Sequence, residues 1–141
     1  MMSQENLEVV RAYFEARREK GREGVFDFLS PGIEWEARSD LPDTETYIGH
    51  DGVRALFSRF RDVMDEMWFQ PEDFIPVGEQ VLVPLRWGGR GRASGVEIEE
   101  RKEAWAFTVR DGAITRVKEY ATREAALEAV GLSEQARHAD S

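Results

Sequence analysis

Two glutamates, Glu103 and Glu119, are the side chains of this sequence best suited to move a proton. They lie in the stretch 99–120, where two segments of period two flank Arg110-Asp111-Gly112, the pattern of a long β-hairpin. A two-residue turn at Asp111-Gly112 would set Phe107 against Arg116 and Trp105 against Lys118. A three-residue loop with Gly112 in the left-handed region pairs Phe107 with Thr115 and Trp105 with Val117 instead. The second register keeps one face apolar and is the one adopted here. It places Glu103 directly opposite Glu119. Two facing carboxylates can share a proton, one pKa rising so that an acid and a base coexist near neutral pH. The alternative is an ion-pair cluster with Arg101, Arg38, Arg86 or Arg92 that serves structure only.

Other candidates surround this pair. Tyr13 and Tyr47 carry hydroxyls that could hold a bound oxygen, or could rest at the surface with their rings against the sheet. Trp35, Trp87, Trp105 and Phe107 read singly as core. Together they read as the wall of a ligand cavity, since four large rings on facing strands are hard to pack without space. Their indole N–H groups need partners. His50, between Gly49 and Asp51, reads as a cap or surface residue. Two distant histidines without a cysteine give no metal site, and no cofactor is required. The glycines within 88–95 lack the order of a phosphate-binding loop and read as a flexible hairpin tip.

The elements that must position these residues follow from periodicity. Leu7, Val10, Phe14 and Arg17 form a helical stripe behind Ser3, a fair N-cap. A short helical piece at 25–29 ends at Ser30-Pro31-Gly32. Ile33, Trp35 and Ala37 alternate inward against Glu34 and Glu36. After a polar loop centred on Pro42 and Asp43, the residues Val53, Leu56, Phe57, Phe60, Met64 and Met67 mark the strongest helix. Strands follow at 68–77, interrupted by Pro71 and Pro76, then at 81–87, 96–109 and 113–121. Thr122 caps a last helix at 123–130, stopped by Gly131. The sequence predicts an α+β fold of order α-α-β-α-β-β-β-β-α, a curved antiparallel sheet wrapped by helices. It is read as one domain over 1–131 with a polar tail at 132–141.

Bulk composition narrows the function. The 141 residues carry 19 basic and 28 acidic side chains, a net charge of −9. That balance disfavours nucleic acid and anionic membrane surfaces. No cysteine is present, which excludes disulfides and a thiol nucleophile. Neither a secretory leader nor an apolar run of the ~20 residues a membrane helix needs is visible, so a cytoplasmic protein is expected.

Three motifs carry a family likeness. Val9-Val10-Arg11-Ala12-Tyr13, Tyr47-x-Gly49-x-x-Gly52 and Arg110-Asp111-Gly112-x-Ile114 leading to Glu119-Tyr120 resemble the SnoaL-like branch of the nuclear transport factor 2 superfamily, which also holds ketosteroid isomerases and limonene epoxide hydrolases. The resemblance spans nearly the whole chain. It implies a cone of curved sheet closed by helices, an interior apolar pocket and often a homodimer. Tyr13 resembles the oxyanion-donating tyrosine of ketosteroid isomerases, and Glu103 falls near their second, carboxylic donor. Ala37 stands where those enzymes carry an aspartate base. Glu119 matches the late acid of the epoxide hydrolases, while Leu85 and Trp87 occupy their Arg-x-Asp position. The resulting expectation is a pocket protein for a small apolar, carbonyl-containing molecule, an isomerase, cyclase or hydratase working by carboxylate acid–base chemistry. The competing expectation is a non-catalytic binding or dimerisation module. For it, the small outward stripe Ala104, Ala106 and Thr108 would support a homodimer through the sheet.

Overall fold

In the computed structural model, residues 2–38 and 45–139 are described. The Ser3 side chain and the loop around Pro42 and Asp43 lie outside the described residues. Helix α1, Met2–Lys20, is followed by a 3₁₀ turn at Arg22–Phe28 and strand β1, Leu29–Glu36. Strand β2, Thr46–Ile48, leads into α2, Gly49–Val63, and then β3, Met64–Pro71, and β4, Ile75–Val77. Strands β5, Gln80–Gly91, β6, Glu97–Arg110, and β7, Ala113–Tyr120, precede α3, Arg123–Ala139.

All seven strands join one sheet in the order β2-β1-β7-β6-β5-β3, with β4 on β5 beside β3. The fold is α+β, as expected, but the sheet is mixed. β1 runs parallel to β7, pairing Trp35 with Val117. A parallel neighbour requires a long crossover, and here everything from β2 to β6 supplies it. Ser30, Pro31 and Gly32 belong to β1 rather than ending a helix. Pro31 is tolerated because the pairing with β7 is irregular between Leu29 and Glu34 and β2 reaches only Glu34 to Glu36.

The inner face of the sheet packs on α1, the 3₁₀ turn and α2. Val10, Tyr13, Phe14, Val25, Val53 and Leu56 are buried there against Ile33, Val83, Leu85, Phe107 and Val117. Burying each large apolar side chain contributes about 1.5–3 kcal/mol, as an upper bound. On the outer face Ala126 and Val130 of α3 pack on Leu82, Ala104 and Ala106. The stripe of small residues therefore seats a helix of the same chain.

Several boundaries differ from the sequence expectation. α2 stops at Val63, so Met64 and Met67 lie on β3, where Glu66 takes a positive φ of 53° within an irregular stretch of the β3–β5 pairing. Apolar residues at helical spacing continued past the helix because the strand buries Met64 in its turn. α3 runs through Gly131 to Ala139. A glycine inside a helix costs about 1 kcal/mol without ending it. The hairpin tip is shorter than 88–95, since β5 continues to Gly91.

Gly88 is a built position. It pairs with Trp68 across β3, and a Cβ there would lie 2.8 Å from the indole. The ring covers the glycine. Replacing Gly88 by Ala should lower stability in urea unfolding by about 1–3 kcal/mol. Adding Trp68→Ala should recover most of that loss, since it removes the clashing ring.

Candidate functional site

The hairpin register decides where the carboxylates go. Asp111 and Gly112 have positive φ of 51° and 77°, a two-residue turn of the type that matches strand twist. Arg110 pairs with Ala113 and Val109 with Ile114, and then β7 bulges so that Thr108 meets Arg116. Phe107 thereby faces Val117 and Trp105 faces Glu119. The three-residue loop is thus corrected. The extra residue in β7 removes the objection to the shorter turn, because it shifts Arg116 away from Phe107. Glu103 does not oppose Glu119; it lies two residues beyond Trp105, on the same inward face.

Both acids end beside a cavity of about 50 Å³. Tyr13 of α1, Trp35 of β1, Trp87 of β5, and Glu103 and Trp105 of β6 line it with Glu119 of β7. Phe57 and Phe60 of α2 and Phe69 of β3 close the apolar side. Trp105 is the hub, its ring centroid 5.6 Å from Trp35 and 5.4 Å from Phe69.

Each of the three indoles lining the cavity donates to a carboxylate. Trp35 Nε1 lies 2.8 Å from Glu119 Oε2. Trp87 Nε1 and Trp105 Nε1 lie 2.9 Å from Glu103 Oε2 and Oε1. Arg38 Nη1 adds a 3.4 Å ion pair to Glu103 Oε2. Glu103 is buried and takes a donor on both oxygens. Of the four arginines considered in the sequence, Arg38 is the one that meets it, while Arg86 pairs with Glu72 and Glu100 and Arg92 with Asp65.

Glu119 is placed differently. Burial pushes its carboxyl up to about 7, against the opposing pull of the Trp35 N–H; the nearby charge of Glu103 raises it further, and Arg38 lowers it through its backbone N–H and its charge. Near neutral pH it is divided between acid and base. Burial likewise pushes the Tyr13 hydroxyl above its ordinary value, partly offset by Arg17, so it remains a neutral O–H.

Two predicted site residues are not at the cavity. The Tyr47 hydroxyl accepts a hydrogen bond from Arg59, which also pairs with Glu45. Its ring is buried but its polar end serves the α2 surface. Phe107 is fully buried core, in edge contact with Tyr13 and Phe14. His50 holds the Leu29 carbonyl at 2.9 Å. Several contributors were not assigned to the site from the sequence. Arg17, Phe57 and Phe69 meet at the cavity, the guanidinium 5.3 Å and 4.9 Å from the two ring centroids. An arginine one turn after Phe14 on an apolar stripe was the available signal.

The family profile for the SnoaL-like domain matches residues 10–117. The chain belongs to the SnoaL-like family. Solved structures share the fold. An NTF2-like protein of unknown function from Burkholderia pseudomallei is 22% identical, with 88% of this chain and 95% of that one covered and a TM-score of 0.73. TerC, co-crystallised with polyporic acid, is 23% identical over 90% and 98% of the two chains, TM-score 0.73. A protein of Jannaschia sp. CCS1 assigned as a SnoaL-like polyketide cyclase is 17% identical over 92% and 93%, TM-score 0.72. A search of curated proteins finds no match. The cone-shaped architecture is that of the family. Among the described residues no helix is long and apolar enough to cross a membrane.

Because the folded-state pKa of Glu119 lies above its unfolded value, the folded chain binds more protons between 4.5 and about 7. The resulting stability is present at low pH and is lost as pH rises through that window. The stability difference between wild type and Glu119→Gln, measured by urea unfolding from about pH 4 to about pH 8, should shift against wild type as pH rises and level off above about 7. A difference independent of pH would place the Glu119 carboxyl in water.

Proposed function

We propose that this protein binds a small carbonyl-containing molecule with its reacting end in the cavity and moves a proton on it through Glu119, as an isomerase or cyclase. The observation that carries this reading is Glu119 itself, a carboxyl held near neutrality beside a buried tyrosine hydroxyl at the edge of an apolar cavity. The SnoaL-like family and the cyclase assignment of a structural neighbour support a small-molecule binding or cyclase-like role.

The chemistry follows from donor and acceptor inventories. Glu119, when ionised, takes a proton from the carbon next to the carbonyl; the C–H electrons move into a C=C bond and the carbonyl oxygen becomes an enolate. Tyr13 supplies the donor for that oxygen. Arg17 lies beside Tyr13, its charge opposing the rise that burial imposes on the phenol, and the phenol O–H is the group that donates. Glu103, accepting from Trp87, Trp105 and Arg38, positions the wall and keeps negative charge near Glu119. In a ligand with a β,γ double bond, returning the proton at the far carbon of the dienolate isomerises it; in a ligand with a second carbonyl, the enolate carbon attacks that carbonyl carbon, its π electrons move to oxygen, and the proton from Glu119 goes to that oxygen as the ring closes. The aromatic lining excludes water from the enolate.

The cavity sets a size limit. Ligand sites commonly span about 300–1,000 Å³, whereas about 50 Å³ is available here. Only the reacting end fits, the remainder extending past Phe60 and Met67. The same small volume favours a second reading, a binding module that does no chemistry. A homodimer through the sheet would in either case use the outer face beside α3, and light scattering reads it.

One measurement separates the two readings. Exchange of the α-protons of 2-tetralone in deuterated water, followed by NMR, should be accelerated by wild type and at least about 100-fold less by Glu119→Gln. Tyr13→Phe should lose about tenfold or more. The wild-type rate should rise with pH and level off above about 7 as Glu119 ionises. Equal exchange with wild type and Glu119→Gln removes the acid–base reading and leaves the binding module.

A further inference from the structure

Arg17 lies beside Tyr13 and also borders the space outside the cavity. Its guanidinium is half-buried between Phe57 and Phe69, and among the described residues no carboxylate lies within ion-pair distance of it. Burial lowers its pKa, with Tyr13 opposing and the Arg22 charge adding to the fall, and no carboxylate is among the causes. A desolvated cation without an anion is unusual in a chain of net charge −9.

Arg17 borders both the inner cavity and a wider cleft of about 640 Å³ directly outside it. That cleft also presents Lys20, Arg22, Arg54 and Arg61 against one acid, Glu23. Arg54 is occupied, pairing with Glu23 at 3.3 Å and Asp51 at 3.5 Å. The mouth is thus positive while the inner end holds Glu103 and Glu119. Low-dielectric walls focus such a field on whatever enters.

We propose that the ligand is an apolar or aromatic carboxylate whose acid group pairs with Arg17 at the mouth while its carbonyl end points toward Tyr13 and Glu119. The second half rests on the proton-transfer reading above; the first does not. The opposite orientation would bring the ligand carboxylate against two acids, which costs more than it gains. The guanidinium carbon lies 5.3 Å from the Phe57 ring centroid and 4.9 Å from that of Phe69, and the fork of N–H donors it carries suits a planar two-oxygen anion.

The test uses benzoate and its neutral analogue benzamide, with binding read by tryptophan fluorescence and calorimetry. Wild type should bind benzoate about tenfold or more tightly than benzamide, and added salt should narrow the gap. Arg17→Met should abolish the preference; Arg17→Lys should retain part of it. Equal affinities in wild type, binding of neither, or a preference that survives Arg17→Met would each overturn the assignment. If Arg17→Met does not fold, the wild-type preference and its salt dependence decide. Repeating the titration in Glu119→Gln keeps the two readings apart. A benzoate preference there, alongside exchange that does not depend on Glu119, retains the carboxylate site and ends the acid–base reading; the converse does the reverse.

Discussion

The structure depends on placing two carboxylates among aromatic rings and satisfying them with indole N–H groups. An enclosed carboxylate is costly unless it is hydrogen-bonded or paired. Trp35, Trp87 and Trp105 meet that need from three different strands. Trp105 reaches Glu103 two positions away on its own strand, and Trp87 reaches it across the β5–β6 ladder. Trp35 reaches Glu119 only because β1 runs parallel beside β7. The parallel pairing is therefore part of the site, because it brings a donor from the start of the chain to an acid near its end. The donors are unequally shared. Glu103 takes two indoles and a guanidinium, whereas Glu119 takes one indole side chain and keeps capacity for a ligand or a proton.

Much of this was legible in the sequence. Alternation placed Ile33 and Trp35 inward on one strand and gave the inward face of β6, and the Arg-Asp-Gly signal located the hairpin. Both acids were correctly put on one face. Their direct opposition was not, because the choice between a two- and a three-residue turn was made on alternation alone. A bulge at Thr115 satisfies the short turn and the apolar face at once, and a bulge in a strand leaves no mark on residue type when the inserted residue is a threonine with good β-propensity. Asp111 at positive φ is within the tolerance of aspartate, so the Asp-Gly pair was the stronger signal.

What the sequence hid is mainly long-range. Tyr47 looks like any buried tyrosine until Arg59, placed along α2, captures its hydroxyl. Ala104 and Ala106 mark a close approach without saying what approaches; α3 fills the place, and only the packing of Ala126 and Val130 reveals it. Met64 continues the helical spacing by coincidence, since the step of four from Phe60 fits both periods, and Met67 follows it across the irregular stretch at Glu66. Phe57 and Phe69 were read as core or passed over, because an aromatic that walls a cavity and one that fills a core have the same sequence signature.

Charge along the cavity axis links these parts. The chain is strongly acidic, and a uniformly negative surface would repel an anionic ligand at every approach. Instead, basic residues gather on the end of α1, the 3₁₀ turn and α2, around the opening, while the acids of the site sit behind a screen of indoles. Arg17 stands at the boundary, lining the inner cavity beside Tyr13 and the outer cleft as well. That arrangement makes orientation a consequence of electrostatics. A ligand with a carboxylate at one end and a carbonyl at the other would have one alignment that keeps its full charge away from Glu103 and Glu119, and that alignment would carry the enolisable carbon toward Glu119. Binding energy gained at the mouth is then available to hold the reacting end in place, which a cavity too small to grip a whole molecule would otherwise lack.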